Sequence, residues 1–585
     1  GSSQSSRSWP SPLDAMLSST RRRVVGSARL AVAATVALPA ASGAPRHWQH
    51  AAARSGATHP AVVLPGARRL LSVATGHQPK YVMAIDNGTT SSRAILFDRK
   101  GHIAAMDQIE FKQHYPRPGW CEHDPSEILS SVLKCCSDVL AKAGASKSDV
   151  ACIGITNQRE TTVAWDQETG EPLCNAVVWL DLRTAKTAED LSHAGGQDHF
   201  RERTGLPIST YFSAVKMKWM MDHNEAVKTA VVQGRCRFGT VESWLIYRLT
   251  GGKEGGVHLT DVSNASRYML MNIKDLQWDE SVCREVGVPL FSLPEIRSNA
   301  EVYGCVKGHG DLDGLPISGA LGDQHAALLG QGCLMPGEAK ITYGTGCFTL
   351  INVGNTPVPS THGLLTTIGF RLGPKAETNY ALEGSVACAG RTVQWLRDNL
   401  NLISSAAEVE GLAASVPDTG GVTLVPAFSG LFAPHWRSDA RAVLVGMTLF
   451  TTKAHLCRAA LEGVAFQNAE VLGAMQKDTG MSLGGVRADG GMTGNTLLMQ
   501  MQADLLDQEV MRAQMPEATA LGAAFAAGYT TGFWENVEDV RRLIAEAGGH
   551  NVFRPAMPAE ARKAAHERWA DAVGRTLSLE RWGDQ

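Results

Sequence analysis

Short apolar runs and helically spaced stretches alternate along most of the chain. YVMAIDNGTTSSRAILFD (81–98) reads as strand, turn, strand, with Asn-Gly as the tight-hairpin signal because both turn residues tolerate φ > 0. HIAAMDQIEF (102–111) alternates as a third strand, and PSEILSSVLKCCSDVLAKAG (125–144) carries a helical stripe of Leu129, Val132, Leu133, Cys136 and Leu140. ACIGIT (151–156) is continuously apolar, as expected for a parallel strand buried on both faces; NQRE (157–160) is its exit loop and TTVAW (161–165) a further strand. LPISGALGDQHAALLG (315–330) passes from strand through a Gly-Asp turn into a small-residue helix.

The pattern then recurs. KITYGTGCFTLINV (340–353) repeats the strand, glycine-rich turn and strand of residues 81–97, with GTG in place of NGTT. RADGGMTGNTLLMQMQADLL (487–506) reads as strand end, glycine turn and helix, and EATALGAAFAAGY (517–529) as a helix small enough on its surface to pack very closely. The repetition predicts an α/β protein of two similar domains whose phosphate-type turns face each other across a cleft.

A chain of 585 residues with 44% hydrophobic content and 59 Gly exceeds one core, which agrees with two large domains. The net charge of −3 conceals a split: residues 1–78 hold nine Arg, no Lys and one acid, Asp14, leaving 46 bases against 57 acids in the remainder. So acidic a body argues against a general nucleic-acid surface, though not against a local anion site. The twelve Cys show no C-x-x-C pair and no metal-ligand spacing, and read as buried, reduced thiols rather than disulfides or zinc ligands.

From Met16 to Lys80 there is no acid, eight Arg and abundant Ala and Ser, the composition of an organelle transit peptide. RRLLSVA (68–74) resembles a mitochondrial processing region, so the mitochondrion is the expected location, with plastid, cytoplasm and secretion as alternatives. The apolar run LAVAATVALPAASGA (30–44) is interrupted by Pro39 and too short for a membrane span, and no other segment reaches that length.

No G-x-x-x-x-G-K-[ST] is present, so a nucleotide would have to be held another way. Two glycine–threonine hairpins provide one: consecutive backbone N–H groups form an anion-binding concavity, the Thr89, Thr90 and Ser91 hydroxyls add donors, and a nearby carboxylate can hold Mg²⁺. Alone, NGTT reads first as an ordinary hairpin; its counterpart at YGTGCF reverses the balance. Asp323 stands where a strand gives way to a helix, the place of a proton acceptor or of a plain helix cap. Arg159 beside Glu160 offers a donor fork and an acceptor for two hydroxyls of a polyol, or a simple ion pair. Trp179 and Tyr211 would wall such a site, or sit in the core.

MAIDNGTTSSRA, GITNQRETT, YFSAVKMKW, GDQHAAL, TYGTGCF, NYALEGSVACAG and DGGMTGN, in this order and spacing, resemble the FGGY carbohydrate kinases, and among them those that phosphorylate glycerol. YFSAVKMKWMMDHN (211–224) and AVLVGMTLFTTKAHLCRAALE (442–462) resemble the family's longer signatures. The likeness runs from about Lys80 to about Pro555. It implies the actin/Hsp70/sugar-kinase architecture of two ribonuclease-H-like domains around a central cleft. The divisions expected are an extension at 1–79, a first domain at 80–332, a second at 333–565 and a tail at 566–585.

The implied activity is ATP-dependent phosphorylation of glycerol. Asp323 would be the general base, and Asp86 with Asp323 would hold Mg²⁺. Arg159, Glu160, Tyr211, Asp323 and Gln324 would meet glycerol, with Trp179 and Phe348 over its carbon chain. Thr90, Arg93 and Thr345 would meet phosphates, and Gly390, Gln394, Gly491 and Asn495 would line the nucleotide site. Members often form dimers or tetramers. The chain departs from the family's usual residues at Asn87 (commonly Gln), Arg391 (commonly small) and Glu242 (commonly Asp). GCVKGHGDLDG (304–314) also lacks the Arg of the bacterial loop that binds an inhibitory sugar bisphosphate. Other polyols or ketoses are rival substrates, and a nucleotide-driven binding module is a rival class.

Overall fold

Strand β1 (Tyr81–Asn87) pairs antiparallel with β2 (Ser91–Phe97), which pairs antiparallel with β3 (Ile103–Glu110). On its other edge β1 takes β4 (Val150–Asn157) in parallel. With β5 (Gly304–Cys305) and β6 (Pro316–Gly322) they form a six-stranded sheet in the order β5-β6-β4-β1-β2-β3. Period-two alternation divides these strands between two cores: Met83, Ile85, Ala94 and Leu96 face one side with helix Pro125–Ala143, while Val82, Ala84, Ile95 and Phe97 face the other. The helical stripe on Pro125–Ala143 is centred on Ile128, Val132, Cys135, Cys136 and Val139; Leu133 is only half-buried.

The second sheet repeats this plan. β7 (Ala339–Tyr343) and β8 (Cys347–Gly354) form its hairpin, followed by β9 (Leu365–Phe370), β10 (Asn379–Val386), β11 (Val486–Asp489), β12 (Val510–Ala513) and β13 (His550–Phe553). The order is β9-β10-β8-β7-β11-β12-β13. β10-β8-β7-β11-β12 reproduces the sense of β3-β2-β1-β4-β6: two antiparallel pairings, then two parallel ones. The duplication expected from the hairpins is therefore a duplication of topology.

The computed structural model describes residues 78–577 and Leu579, apart from Ser438. The extension read as a transit peptide lies outside the described residues. No described helix is long and apolar enough to cross a membrane. None of the twelve Cys, all of them described, is paired in a disulfide; ten are buried, Cys174 is half-buried and Cys305 exposed.

Helix Ala518–Thr531, late in the chain, lies on the first sheet rather than the second. A Cβ on Gly154 of β4 would come within 2.1 Å of the Ala523 carbonyl, and one on Gly319 of β6 within 2.6 Å of the Ala527 nitrogen. The helix also crosses Asp323–Gly330, where Gly522 and Gly330 bring the two backbones into contact: a Cβ on either would meet a carbonyl at 1.9 Å. The small-residue sequence thus does what its composition predicts, and clamps the end of the second half onto the first sheet.

Two expectations are corrected here. The Asn87-Gly88 turn is not a φ > 0 pair: Asn87 still belongs to β1, facing Ser92, and Gly88 closes the loop by donating to the Ser91 carbonyl at 2.9 Å. Asn87 prefers the strand because its amide donates to the buried Ser92 hydroxyl at 2.7 Å. The boundary expected at 565 falls within helix Ala559–Gly574, whose Trp569 is buried and stacks on Phe466 with centroids 5.0 Å apart. Trp569, Ala572 and Val573 belong to the core, so the helix packs as one element across position 565, and the large apolar indole anchors it there.

Candidate active site

Both hairpins present their loops at the ends of the central parallel strands. In the first, β1 delivers Asp86 and β2 delivers Arg93, paired across the ladder, with the Arg93 guanidinium 3.6 Å from the Asp86 carboxylate. Arg93 Nη1 also donates to Glu517 Oε2 at 2.8 Å, so this cation is already engaged with two acids. Burial raises the Asp86 pKa to about 6, and Glu517 and Asp323 add to the rise against the pull of Arg93. Thr90 is exposed on the loop, whereas Ser91 is buried and accepts from Gln108 Nε2 at 3.1 Å.

The second hairpin turns through Gly344, Thr345 and Gly346, with Thr345 exposed. It is tied to the start of helix Gly390–Asp398: Gly390 and Arg391 donate their backbone N–H groups to the Gly344 and Thr345 carbonyls at 3.0 and 3.2 Å. A Cβ on Gly390 would stand 2.7 Å from the Gly344 oxygen, and one on Gly490 (φ +92°) 2.5 Å from the Tyr343 oxygen. Those glycines let three backbone segments converge, which is the geometry for holding a flat or anionic ligand by main chain. Gln394 and Gly491 are exposed on this surface, with Arg391 at its rim. Asn495 caps helix Thr496–Leu506 by accepting from the Leu498 N–H at 2.8 Å.

Between the hairpins lies a polar cluster with aromatic walls. Asp323 is the first residue of its helix, whose cap is Gly322, so the plain capping role does not apply. Its Oδ1 accepts from the Gln324 N–H at 2.7 Å and lies 3.1 Å from Arg159 Nε, and its side chain remains 28% accessible while Arg159 is buried. Arg159 forks onto Glu383 of β10 through Nη1 and Nη2 at 2.6 and 2.8 Å. Glu160, at φ 60°, accepts from Arg267 Nε at 2.6 Å. Burial would raise Glu383, but Arg159 and Arg267 outweigh it and hold the carboxyl at about 2; burial keeps Glu160 above its ordinary range against the same two cations.

Trp179 packs edge-on to Tyr211 and to Phe348, with centroids 5.7 and 6.0 Å apart. Gln324 is buried, and its Oε1 accepts from Lys340, which also donates to Thr342 at 3.0 Å. Burial lowers Lys340 to about 8, although Asp489 and Asp323 nearby favour its charged form. The fold thus gathers Asp86, Arg93, Arg159, Glu160, Trp179, Tyr211, Asp323 and Phe348 from segments far apart in the chain.

The FGGY family of carbohydrate kinases, N-terminal domain, matches residues 81–330, and its C-terminal domain matches 339–531. The chain belongs to the FGGY family of carbohydrate kinases. It is 51% identical over 497 residues to a glycerol kinase of Saccharopolyspora erythraea, covering 85% of this chain and 99% of that one. It is 52% identical over 499 residues to one of Methylorubrum populi, covering 85% and 98%. A crystal structure of Plasmodium falciparum glycerol kinase with ADP superposes with TM-score 0.79 at 40% identity, covering 85% and 98%. A gluconate kinase of Lactobacillus acidophilus shares the fold at TM-score 0.74 and 20% identity.

Sequence reasoning missed Glu383, Arg267, Glu517 and Lys340, although each partners a residue it named. Glu383 sits inside the quoted motif NYALEGSVACAG, and its single acid amid small residues was the available signal. Arg267 and Glu517 carry no local signal, since their partners lie 107 and 424 positions away. In this FGGY chain Glu242, where Asp is usual, is buried and accepts from Asn157, Thr240, Ser243 and Thr260, directly behind the Arg159 loop.

Proposed function

We propose that this chain transfers the γ-phosphoryl group of ATP to glycerol, giving sn-glycerol 3-phosphate and ADP. The observation that carries the reading is the compact grip formed by Arg159, Glu160 and Asp323 under the Trp179, Tyr211 and Phe348 walls. Three charged groups and three rings at these spacings suit a three-carbon triol and leave little length for a pentulose. The glycerol kinases that share half of its residues support the same substrate.

Asp323 is placed to accept the proton of the attacking glycerol hydroxyl, being an accessible carboxylate at the end of a central strand. As that O–H bond breaks, the oxygen bonds to the γ-phosphorus and the bond to the β-phosphate oxygen breaks, releasing ADP. Arg159 orients the hydroxyls, the aromatic rings keep water from the carbon chain, and the two hairpins offer backbone N–H groups to the phosphates. Thr89, Thr90, Arg93 and Thr345 belong to that cradle. Gly390, Gln394, Gly491 and Asn495 line the nucleotide side.

Asp86 and Asp323 fit a magnesium ion: both are oxygen donors, and the Asp323 carboxylate is close enough to add to the raised proton affinity of Asp86, an excess of negative charge that a cation relieves. Among the described residues no group of three His, Cys, Asp or Glu side chains is arranged to hold a metal alone. Bound there, Mg²⁺ supplies neutralisation of the phosphate charge. The acid-free, arginine-rich stretch before Lys80 supports delivery to the mitochondrion, which N-terminal sequencing of the mature protein tests.

The deciding measurement is ADP formation by purified protein with glycerol, dihydroxyacetone, xylulose and gluconate in parallel. Glycerol is expected to give the highest kcat/KM. A preference for xylulose or gluconate, or ATP turnover independent of any polyol, would reject the reading.

A further inference from the structure

Arg159 has no freedom left to orient itself. Both terminal nitrogens are taken by Glu383, and Nε faces Asp323, so the plane of its guanidinium is set by a carboxylate of the second sheet. Glu383 also lies 3.4 Å from Arg267 Nη1, and Arg267 Nε holds Glu160. The result is an alternating chain, Arg159–Glu383–Arg267–Glu160, with all four side chains at most 2% exposed.

Stability does not account for its design. Arg267 Nη1 and Nη2 are buried without a hydrogen-bond acceptor, pressed over the Tyr211 and Phe212 rings at 5.6 and 5.4 Å. Buried donors left in this way, beside a residue at positive φ, are retained where position matters more than energy. The strand pairing supplies the link to the substrate: Glu383 faces Leu350, and Ser385, two residues on, faces Phe348. One strand pair of the second sheet therefore delivers both the anchor of Arg159 and one aromatic wall.

We propose that Glu383 is the positioning residue that aims Arg159 at the acceptor hydroxyls, so that polyol affinity is set by the docking of the second sheet against the first. The inference rests on the glycerol reading and deepens it. Without Glu383 the fork of Arg159 is free to collapse onto Asp323, removing a hydroxyl donor and engaging the general base together.

The test is a double-mutant cycle of Arg159→Gln and Glu383→Gln, read as KM for glycerol, KM for ATP, kcat and melting temperature. Glu383→Gln is expected to raise the glycerol KM about 30-fold, as for a lost charge-assisted contact, with the ATP KM within about three-fold. In the Arg159→Gln background it should add no more than about two-fold, since both act through one group. Glu383→Asp should fall between, and replaces Glu383→Gln if that variant does not fold. An unchanged glycerol KM in folded protein, or effects that multiply across the cycle, overturns the inference, because a structural role alone would lower the melting temperature and kcat instead. Wild-type turnover separates the two claims. Activity on glycerol with an additive cycle defeats only the positioning role. Activity on a different polyol defeats the substrate reading, and the cycle is then decided on that polyol. No activity on any polyol overturns both.

Discussion

The Trp179 indole N–H donates to the Thr89 hydroxyl at 3.0 Å, joining a wall of the proposed polyol site to the loop of the first hairpin. The donor sits 90 positions downstream of its acceptor, and the contact makes one unit of two ligand sites. Trp179→Phe keeps the ring and removes the donor. It is expected to raise the KM for glycerol and for ATP together, each about five-fold, from the loss of ~1 kcal/mol of hydrogen bonding. Thr89→Val should match it and add nothing to the double variant; a shift in the glycerol KM alone would show the hairpin to be independent.

Asp323→Asn preserves the shape of the side chain and an oxygen for the Gln324 N–H, but cannot take a proton. Expect kcat to fall by about three orders of magnitude while calorimetry still detects glycerol binding. An Asn variant of near-normal kcat would remove Asp323 from the role of base.

Gly322 presses against the substrate grip from behind. A Cβ there would stand 2.7 Å from Arg159 Cγ and Cδ, and that side chain is pinned by Glu383 and Asp323 and cannot swing aside. Gly322→Ala should therefore raise the glycerol KM at least about ten-fold and cost ~1–3 kcal/mol of stability. Kinetics and thermal melting of the same preparation check both. An unaltered KM would mean that the Arg159 loop yields freely.

Lys216 is fully buried, and its ammonium donates to the Thr210, Tyr211 and Phe212 carbonyls at 2.9, 2.5 and 3.4 Å, holding the turn that presents Tyr211. Burial lowers its pKa to about 7, although Glu160 and Asp181 favour the charged form. Between pH 7 and the unfolded value near 10.4 the unfolded chain binds more protons, so stability rises with pH across that window and is flat below it. Relative to Lys216→Met, the wild type should gain about 2 kcal/mol between pH 7 and pH 9 in urea unfolding. A parallel pair of curves would show that the amine keeps its proton in the fold.

Much of the candidate site was legible in linear order because its residues sit at strand ends, where local pattern and polar residue coincide. Asp86, Arg159 and Asp323 each follow an apolar run that folds as a central parallel strand, so the periodicity that marks the strand also marks the residue. The hairpin at Asn87-Gly88 was legible as a turn but not in its form. Whether Asn87 bends or stays extended depends on Ser92 and Ser131 beneath it, a buried hydroxyl chain that no dipeptide rule contains.

By itself, the chain order determined two α/β halves, each opening on a glycine–threonine hairpin, and singled out Asp323, Arg159 and the Trp179, Tyr211 and Phe348 rings that the fold brings together. Period-two and period-3.6 patterns are local, and hydrophobic burial acts on them directly. Only the tertiary structure decided which charges meet: Arg159 with Glu383 across 224 residues, Arg93 with Glu517 across 424, and the late helix Ala518–Thr531 laid on the first sheet. A charge carries no signal of its partner along the chain. It is satisfied only where folding brings the opposite charge beside it, and for Arg159 and Glu383 that place is the buried seam between two sheets.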